Sequence, residues 1–529
     1  MKTHIFILKT FYSTPLQTYR YPGFNCDFKW PKEGGVGLGV AGIWNLLLRV
    51  GEPADIVEEE NLHTPRSGDL LFVNPDNPFS PDTEKKLYDW MEAGGKIVGA
   101  GCPEAWRFAF PSDFIIESSK LDNPYSALAW ICEGAQPELI TPPGWKFLKI
   151  KKCKNISIKN FGILASIGGE RQTPQRALVS PIEEAPAVLT YKNFIFFNGN
   201  PFSAFQAWLQ GQENLEPWLL WRHRIFWLDE YASFLCQTLK KIKIIQPLEK
   251  GIPALAKTTI VLKHDLDYSR DSTYLDIEKQ ANISGVHAIL KDSNTNYWLD
   301  KLKLNPQNES AFHYNTAIYS RWLEAARHIL LNLPKRSYLP NKKAIQGKGL
   351  LKQVRWAKKK GIGINTLHRH DPFIIYPELV DALDTVYNNE IEVLGSNSFF
   401  RGQVLRWGVN CSDGLRGNYG DAPNPQFPYW FPFRLAHSGY GGRLLKGWET
   451  TSMMEIEPGL LEQMIDYNIP GLSQKVIVLN FHPAHARTST FVKGGCVNWF
   501  HEILNLCHSR KVDIRTLSDV FKVLKGFVK

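Results

Sequence analysis

One ten-residue stretch, Thr258–Asp267 (TTIVLKHDLD), limits what this chain can build. Its β-branched and apolar run from Thr259 to Leu262 reads as a buried strand. The strand delivers a histidine and two carboxylates, Asp265 and Asp267, two positions apart. Carboxylates so close repel and raise one another's pKa, so they persist where a cation sits between them or a function needs them. Two later runs end in the same way. Gly361–Leu367 leads into His368-Arg369-His370-Asp371, and Gln474–Leu479 into Asn480-Phe481-His482-Pro483. In a barrel of alternating strands and helices, the C-terminal strand ends converge on one face. Asp with two His is a ligand set suited to zinc and tolerant of cobalt, nickel or iron, and three protein ligands leave positions open for water and substrate. Each piece has a plainer reading: Asp265 and Asp267 as helix cap and ion-pair partner, His368 and His370 as loop residues, His482 as a core histidine bonded to backbone. Chance accounts for any one of these more easily than for all three.

At 529 residues the chain exceeds one ordinary core, so two or three domains are expected. Residues 1–240 read as an α/β domain, 241–257 as a linker with Lys, Pro and Gly, and 258–529 as the barrel. In the first part His4–Leu8 and Asp69–Val73 read as strands. A helix capped by Ser80 with Pro81 at its first position runs to about Ala93, and Lys96–Ala100 follows as a strand. That βαβ order implies a parallel sheet. Further β pieces are expected at Ile156–Leu164 and Ala187–Phe197, and a Trp-rich helix over Pro217–Leu239. Gly37, Gly39 and Gly42 carry dinucleotide-binding spacing, but no strand precedes them, so tight packing at a helix start is the better reading. In the second part, helices are expected over Tyr274–Ala281, Thr316–Leu331, Leu350–Lys360 (ended by Gly361) and Pro377–Tyr387, and a surface loop over 408–429.

The formal charge is +10, partly because Lys335–Lys360 holds ten basic residues and no acid. Such a surface attracts anionic partners, yet no zinc-finger spacing or RNA-binding aromatic signature accompanies it, and nucleic acid is not favoured. Eight scattered Cys without a CxxC pair fit a reducing compartment. The N-terminus lacks the apolar core of a secretion signal, and no window approaches the ~18 apolar residues of a membrane span. A cytoplasmic location is the expectation.

The barrel resembles the polysaccharide deacetylases, carbohydrate esterase family 4. Their distorted (β/α) barrel opens with an Asp pair at a strand end, matched by His264-Asp265-Leu266-Asp267. It closes with a strand ending in an acidic His, matched by Val478–Pro483. The resemblance implies Asp265 as catalytic base, His482 as catalytic acid, Asp267 as metal ligand and a divalent metal, zinc first. The family's middle motif sets two His four residues apart; here His368 and His370 stand two apart and are the candidate ligands, with His313 (AFHYN) as a substitute. Its Arg-Pro motif is also altered, since Gly402 follows Arg401; Arg401 and Trp448 are the candidate substrate-binding residues. The roughly 100 residues between Asp267 and His368 imply an inserted, basic helical segment at about 290–345.

The first 240 residues resemble the class I glutamine amidotransferase-like fold through the phrase SPDTEKKLYDWMEAGGKIVGAG. That family's nucleophile is a Cys on a glycine-flanked turn. Here Cys102 is followed by Pro103-Glu104, and no His-x-Glu pair follows in the domain, so this part is expected to be non-catalytic. The whole then reads as a doubly wound parallel-sheet domain followed by a deacetylase-type (β/α) barrel. The expected activity is metal-dependent removal of an N-acetyl group from an amino sugar or glycan. The rivals are a catalytically silent glycan-binding barrel and a hydrolase of a non-sugar amide.

Overall fold

The structure is a computed structural model. It describes residues 4–9, 38–49, 54–110, 112, 114–121, 127–131, 139–140, 146–151, 159–167, 179–210, 234–240, 252–267, 269–315, 317–318, 339–340, 344, 346–370, 378–401, 431–432, 434, 445–468, 473–489 and 492–527.

The first sheet contains β1 (Ile5–Lys9), β2 (Asp55–Glu58), β3 (Leu70–Val73) and β4 (Lys96–Gly99). A separate antiparallel ribbon pairs β5 (Ile115–Ser119) with β8 (Phe147–Lys151), and β6 (Ala127–Ile131), β7 (Leu139–Ile140), β9 (Lys159–Ile167), β10 (Val179–Tyr191) and β11 (Phe194–Phe197) complete the sheet. The order is β2-β1-β3-β4-β11-β10-β9-β6-β7. The βαβ expectation holds. Ser80 accepts the Thr83 amide as N-cap, Pro81 opens the helix Pro81–Glu92, and β3 and β4 pair in parallel. Alternation then splits the core. Ile5, Ile7, Leu70 and Phe72 pack with the helix Leu38–Arg49, while Phe6, Leu8, Leu71 and Val73 pack with Leu87 and Trp90 on the other face. Helices on both faces make this half doubly wound.

The other half differs from a purely parallel sheet. The expected strand at Ala187–Phe197 is a hairpin, with Lys192 at φ 48° in its turn, and β10, β9, β6 and β7 run antiparallel to their neighbours. Gly39 and Gly42 lie inside a helix, and a Cβ on Gly39 would meet the Asn74 side chain at 2.0 Å, so close packing is the use of that glycine. The Trp-rich segment is described only over 234–240, where it is helical.

The second sheet closes on itself. β12 (Thr258–Asp265), β13 (Val286–Leu290), β14 (Glu309–Asn315), β17 (Thr366–His370), β18 (Gly395–Arg401), β19 (Trp448–Met454) and β20 (Lys475–Asn480) pair in that order. The β12–β20 and β12–β13 pairings complete a seven-stranded parallel barrel. A two-strand ribbon, β15 (Ala317–Ile318) with β16 (Leu339–Pro340), and β21 (Asp513–Ile514) on β12 are additions. Inside the barrel Val261, Val286, Ala311, Val476 and Val478 meet Leu517, Val520, Phe521 and Leu524 of the C-terminal helix Leu517–Phe527, which plugs the N-terminal end. Outside, Ile260, Leu262, Ile477 and Leu479 pack against Phe500 and Ile503 of the helix Val497–Ser509. Interior side chains nearer the C-terminal ends are polar, and there the site forms.

Two expectations change here, and a third lies almost wholly outside the described residues. The strand expected at Gly361–Leu367 is Thr366–His370. Gly361 at φ 81° ends the basic helix Gly349–Lys360, and Gly363 passes under the Ser310 carbonyl before pairing begins. The segment 290–345 is not simply an insertion, because the helix Thr295–Lys303 and barrel strand β14 lie within it. The helix expected over Thr316–Leu331 is described only at 317–318, which are extended. The linker up to residue 251 and the loop 408–429 lie outside the described residues.

Candidate metal centre and active site

Each site residue sits at or just past the C-terminal end of a barrel strand. Asp265 ends β12 and Asp267 lies two residues on. His313 is in β14, and His370 ends β17. Glu455 follows β19, and His482 follows β20 by two residues. Strand alternation sets who points inward. Val261, Lys263 and Asp265 share the interior face of β12, so His264 points outward.

Asp267, His313 and His370 each offer a ligand atom within 4.8 Å of the others. His313 Nε2 is 3.0 Å from Asp267 Oδ1, and His370 Nε2 is 3.4 Å from Asp267 Oδ2. Burial would raise the Asp267 carboxyl, but His313 and His370 outweigh it and hold it well below the usual carboxylate range. Buried His313 meets only carboxylates, Asp267 Oδ1 at Nε2 and Asp265 Oδ1 3.6 Å from Nδ1, and neither ring nitrogen has an aligned hydrogen bond. Leaving buried polar atoms unsatisfied costs about 1–3 kcal/mol each. A cation among them removes that cost, and two imidazoles with one carboxylate are an open zinc-type donor set. The residues fit a divalent metal.

His368 does not join this group. It is fully buried and one layer deeper, with Nε2 3.1 Å from Thr366 Oγ1, and burial holds its ring well below the ordinary imidazole pKa. His313 stands in the group with Asp267 and His370 instead.

Beside the metal group, Asp265 is almost sealed from solvent, 2 % exposed. The Lys263 ammonium lies 2.9 Å from its Oδ1, and Asn480 Nδ2 donates to its Oδ2 at 2.6 Å. Burial pushes this carboxyl up, but Lys263, His313 and His482 together hold it below its ordinary value. His482 Nε2 is 3.7 Å from Asp265 Oδ2, and its Nδ1 is 3.6 Å from Glu455 Oε1. Burial alone would lower the His482 pKa; Glu455 and Asp265 raise it instead. Burial would raise Glu455, whose bonds to His482 and His485 bring it down to about 2.

A second buried cluster, His264, Glu278 and His287, lies outside the barrel wall. His264 Nε2 meets Glu278 Oε1 at 2.7 Å and its Nδ1 meets the Phe481 carbonyl at 3.2 Å; His287 Nε2 meets Glu278 Oε2 at 2.8 Å, beside Asn308. These bonds tie β12 and β13 to the helix Thr273–Ala281.

Of the two substrate-binding candidates, Arg401 ends β18 at the same end of the barrel as Asp267. Trp448 begins β19, opposite Gly395, and packs against the C-terminal plug at the other end of the barrel. It therefore does not wall the site. Lys263, Glu455 and His485 escaped the sequence reading. A lone Lys inside an apolar strand was the available signal for the first, and the unread strand Trp448–Met454 hid the second. In the first sheet, Cys102 donates to the Glu104 carboxylate at 3.2 Å, and burial with that neighbour pushes its thiol up to about 11, which disfavours a nucleophilic thiolate.

No protein-family model matches the chain, and no curated protein matches it significantly. Solved structures that resemble it in part include alpha-L-fucosidase isoenzyme 2 from Paenibacillus thiaminolyticus. That match has 21% identity and a TM-score of 0.28, and covers 41% of this chain and 32% of that one. The chain thus spans about a third of the fucosidase. A putative polysaccharide deacetylase involved in O-antigen biosynthesis from Bordetella bronchiseptica matches at 12% identity and TM-score 0.25, over 51% of this chain and 90% of that one. A peptidoglycan N-acetylglucosamine deacetylase matches at 12% identity and TM-score 0.26, over 50% and 93%. Among the described residues no helix is long and apolar enough to cross a membrane.

Proposed function

We propose that this chain is a metal-dependent hydrolase that removes the acetyl group of an N-acetyl amino sugar or glycan. One observation carries the reading: a His-His-Asp donor set drawn from the ends of β12, β14 and β17 lies directly beside an Asp–His pair, Asp265 from β12 itself and His482 from β20. Asp267, His313 and His370 would hold the divalent cation, zinc first. When bound it supplies Lewis acidity and makes water acidic enough to attack near neutral pH.

The chain's own residues do the rest. Asp265 accepts the proton of the attacking water at the oxygen facing the site. Lys263 and Asn480 keep that carboxylate ionised and fix its orientation. His482 carries a proton on Nε2 toward the same space, stabilised by Glu455 behind and Asp265 in front, and gives it to the departing amine. The plugged N-terminal end leaves the C-terminal mouth as the way in. Residues 1–240 form a non-catalytic accessory domain in this reading, with 258–529 as the catalytic unit.

The test is metal content of the purified protein by elemental mass spectrometry, beside acetate release from N-acetylglucosamine oligomers. One tightly held equivalent, lost in Asp267→Asn and His370→Ala, together with acetate release lost in Asp265→Asn, is expected. Metal-independent acetate release, or no retained metal after zinc is supplied, overturns the reading.

A further inference from the structure

Glu455, His482 and His485 form a second donor cluster at the mouth of the barrel, with ligand atoms within 4.8 Å of one another. Both imidazoles aim Nδ1 at a single oxygen, Glu455 Oε1: His482 from 3.6 Å and His485 in direct contact. Their rings are 5.3 Å apart. The local backbone fixes this convergence. His482 precedes a short 3-10 turn, Pro483–His485, and His485 donates its amide to the His482 carbonyl at 2.9 Å. Positions i and i+3 of such a turn lie on one side. The Cys496 amide pins the far end by donating to the His485 carbonyl. Glu455 holds a left-handed backbone, φ 46°, fixed by its amide donating to Asn480 O at 2.8 Å. A non-glycine residue there is strained, and the strain points its carboxylate at the two rings.

Access separates this cluster from the buried one outside the barrel wall. His264, Glu278 and His287 are sealed, and their facing atoms are spent on one another, on Asn308 and on the Phe481 carbonyl. The side chains of His482 and His485 are 16% and 27% exposed, so a hydrated cation reaches them from the mouth.

We propose that Glu455, His482 and His485 bind a second divalent cation, of the zinc class, and that its binding inhibits the enzyme. The ligands are one carboxylate oxygen and two Nδ1 atoms, and any proton on those nitrogens passes to solvent. His482 then keeps its Nε2 proton, but with Nδ1 on the cation the ring is no longer an imidazolium, and that N–H is too weak an acid to protonate the leaving amine. Sites of this kind fill only when the cation exceeds the first site's demand. The inhibition rests on the hydrolase reading; the second site does not.

Equilibrium dialysis against zinc, read by elemental mass spectrometry on the full chain, tests both parts. Wild type is expected to take two equivalents, the second more weakly. Asp267→Asn should keep the weaker one and His485→Ala the tighter one, with His485→Gln as a second variant should alanine loosen the turn. Acetate release should rise and then fall at least fivefold as zinc passes one equivalent, and the fall should vanish in His485→Ala. A single equivalent in wild type, or a second one that persists unchanged in both His485 variants, overturns the site. Two equivalents without any fall in rate overturn the inhibition. If no preparation releases acetate, the hydrolase reading fails, and the equivalent count still decides the second site.

Discussion

The Lys263 ammonium lies 2.9 Å from Asp265 Oδ1 and 3.1 Å from Oδ2, with both side chains nearly sealed from solvent inside the barrel. Removing one member of such a pair leaves an unpaired buried charge. Lys263→Met is therefore expected to cost about 3–5 kcal/mol of stability, while Lys263→Met with Asp265→Asn costs clearly less. Urea unfolding of the three proteins checks this. Equal losses in single and double variants would show that the pair is not what holds the two side chains.

His368 and His370 lie two residues apart on one strand and are expected to behave differently. His370→Ala should lower zinc affinity by at least tenfold with a modest loss of stability. His368→Ala should keep the metal yet destabilise the barrel by about 1–3 kcal/mol, because it empties a fully buried position beside Thr366. Dialysis beside thermal unfolding separates the two. Metal loss on His368→Ala alone would restore it as a ligand and displace His313.

That contrast also marks how far the sequence could be read. The strand carrying Asp265 and Asp267, the helix capped by Ser80 and the basic helix ended by Gly361 were legible, because periodicity, caps and apolar runs are local. The choice between His313 and His368 was not. Two residues along a strand change depth by about 6.6 Å. Depth inside a barrel depends on the stagger between strands, which no strand's own sequence reports. The β10–β11 hairpin was hidden for a related reason: its turn uses Lys192 in a left-handed conformation where a glycine would have marked it. Glu455 was missed because the polar strand Trp448–Met454 lacks an apolar run.

Trp448 offers a direct test of barrel polarity. It sits at the plugged end, against the cluster holding Leu517 and Phe521. Truncation to alanine should cost about 2–4 kcal/mol through lost packing, and KM for the acetylated substrate should hold within twofold. A rise in KM of tenfold or more with unchanged stability would return Trp448 to the substrate wall.

Glu449 predicts a pH dependence away from the metal. It is buried between β18 and the helix Glu378–Asn389, where its carboxyl accepts the Ser398 amide at 2.7 Å and meets Ser396 Oγ. Burial pushes its pKa from 4.5 up to about 8, against the opposing bonds from Ser396 and the Ser398 and Thr450 amides. The folded state therefore binds this proton more tightly than the unfolded chain. Its contribution to stability is complete below the unfolded value of 4.5 and is lost as pH rises toward 8. Between those limits this one group should give a slope of up to about 1.4 kcal/mol per pH unit, falling with increasing pH. Glu449→Gln copies the protonated acid, since its amide nitrogen donates to Ser396 while its oxygen keeps the Ser398 bond. The variant should match wild type near pH 5 and exceed it near pH 8, with a flatter profile between. Urea midpoints at pH 5, 6.5 and 8 decide it. Parallel profiles for the two proteins would mean that Glu449 is ionised in the fold, compensated by buried Arg369 nearby.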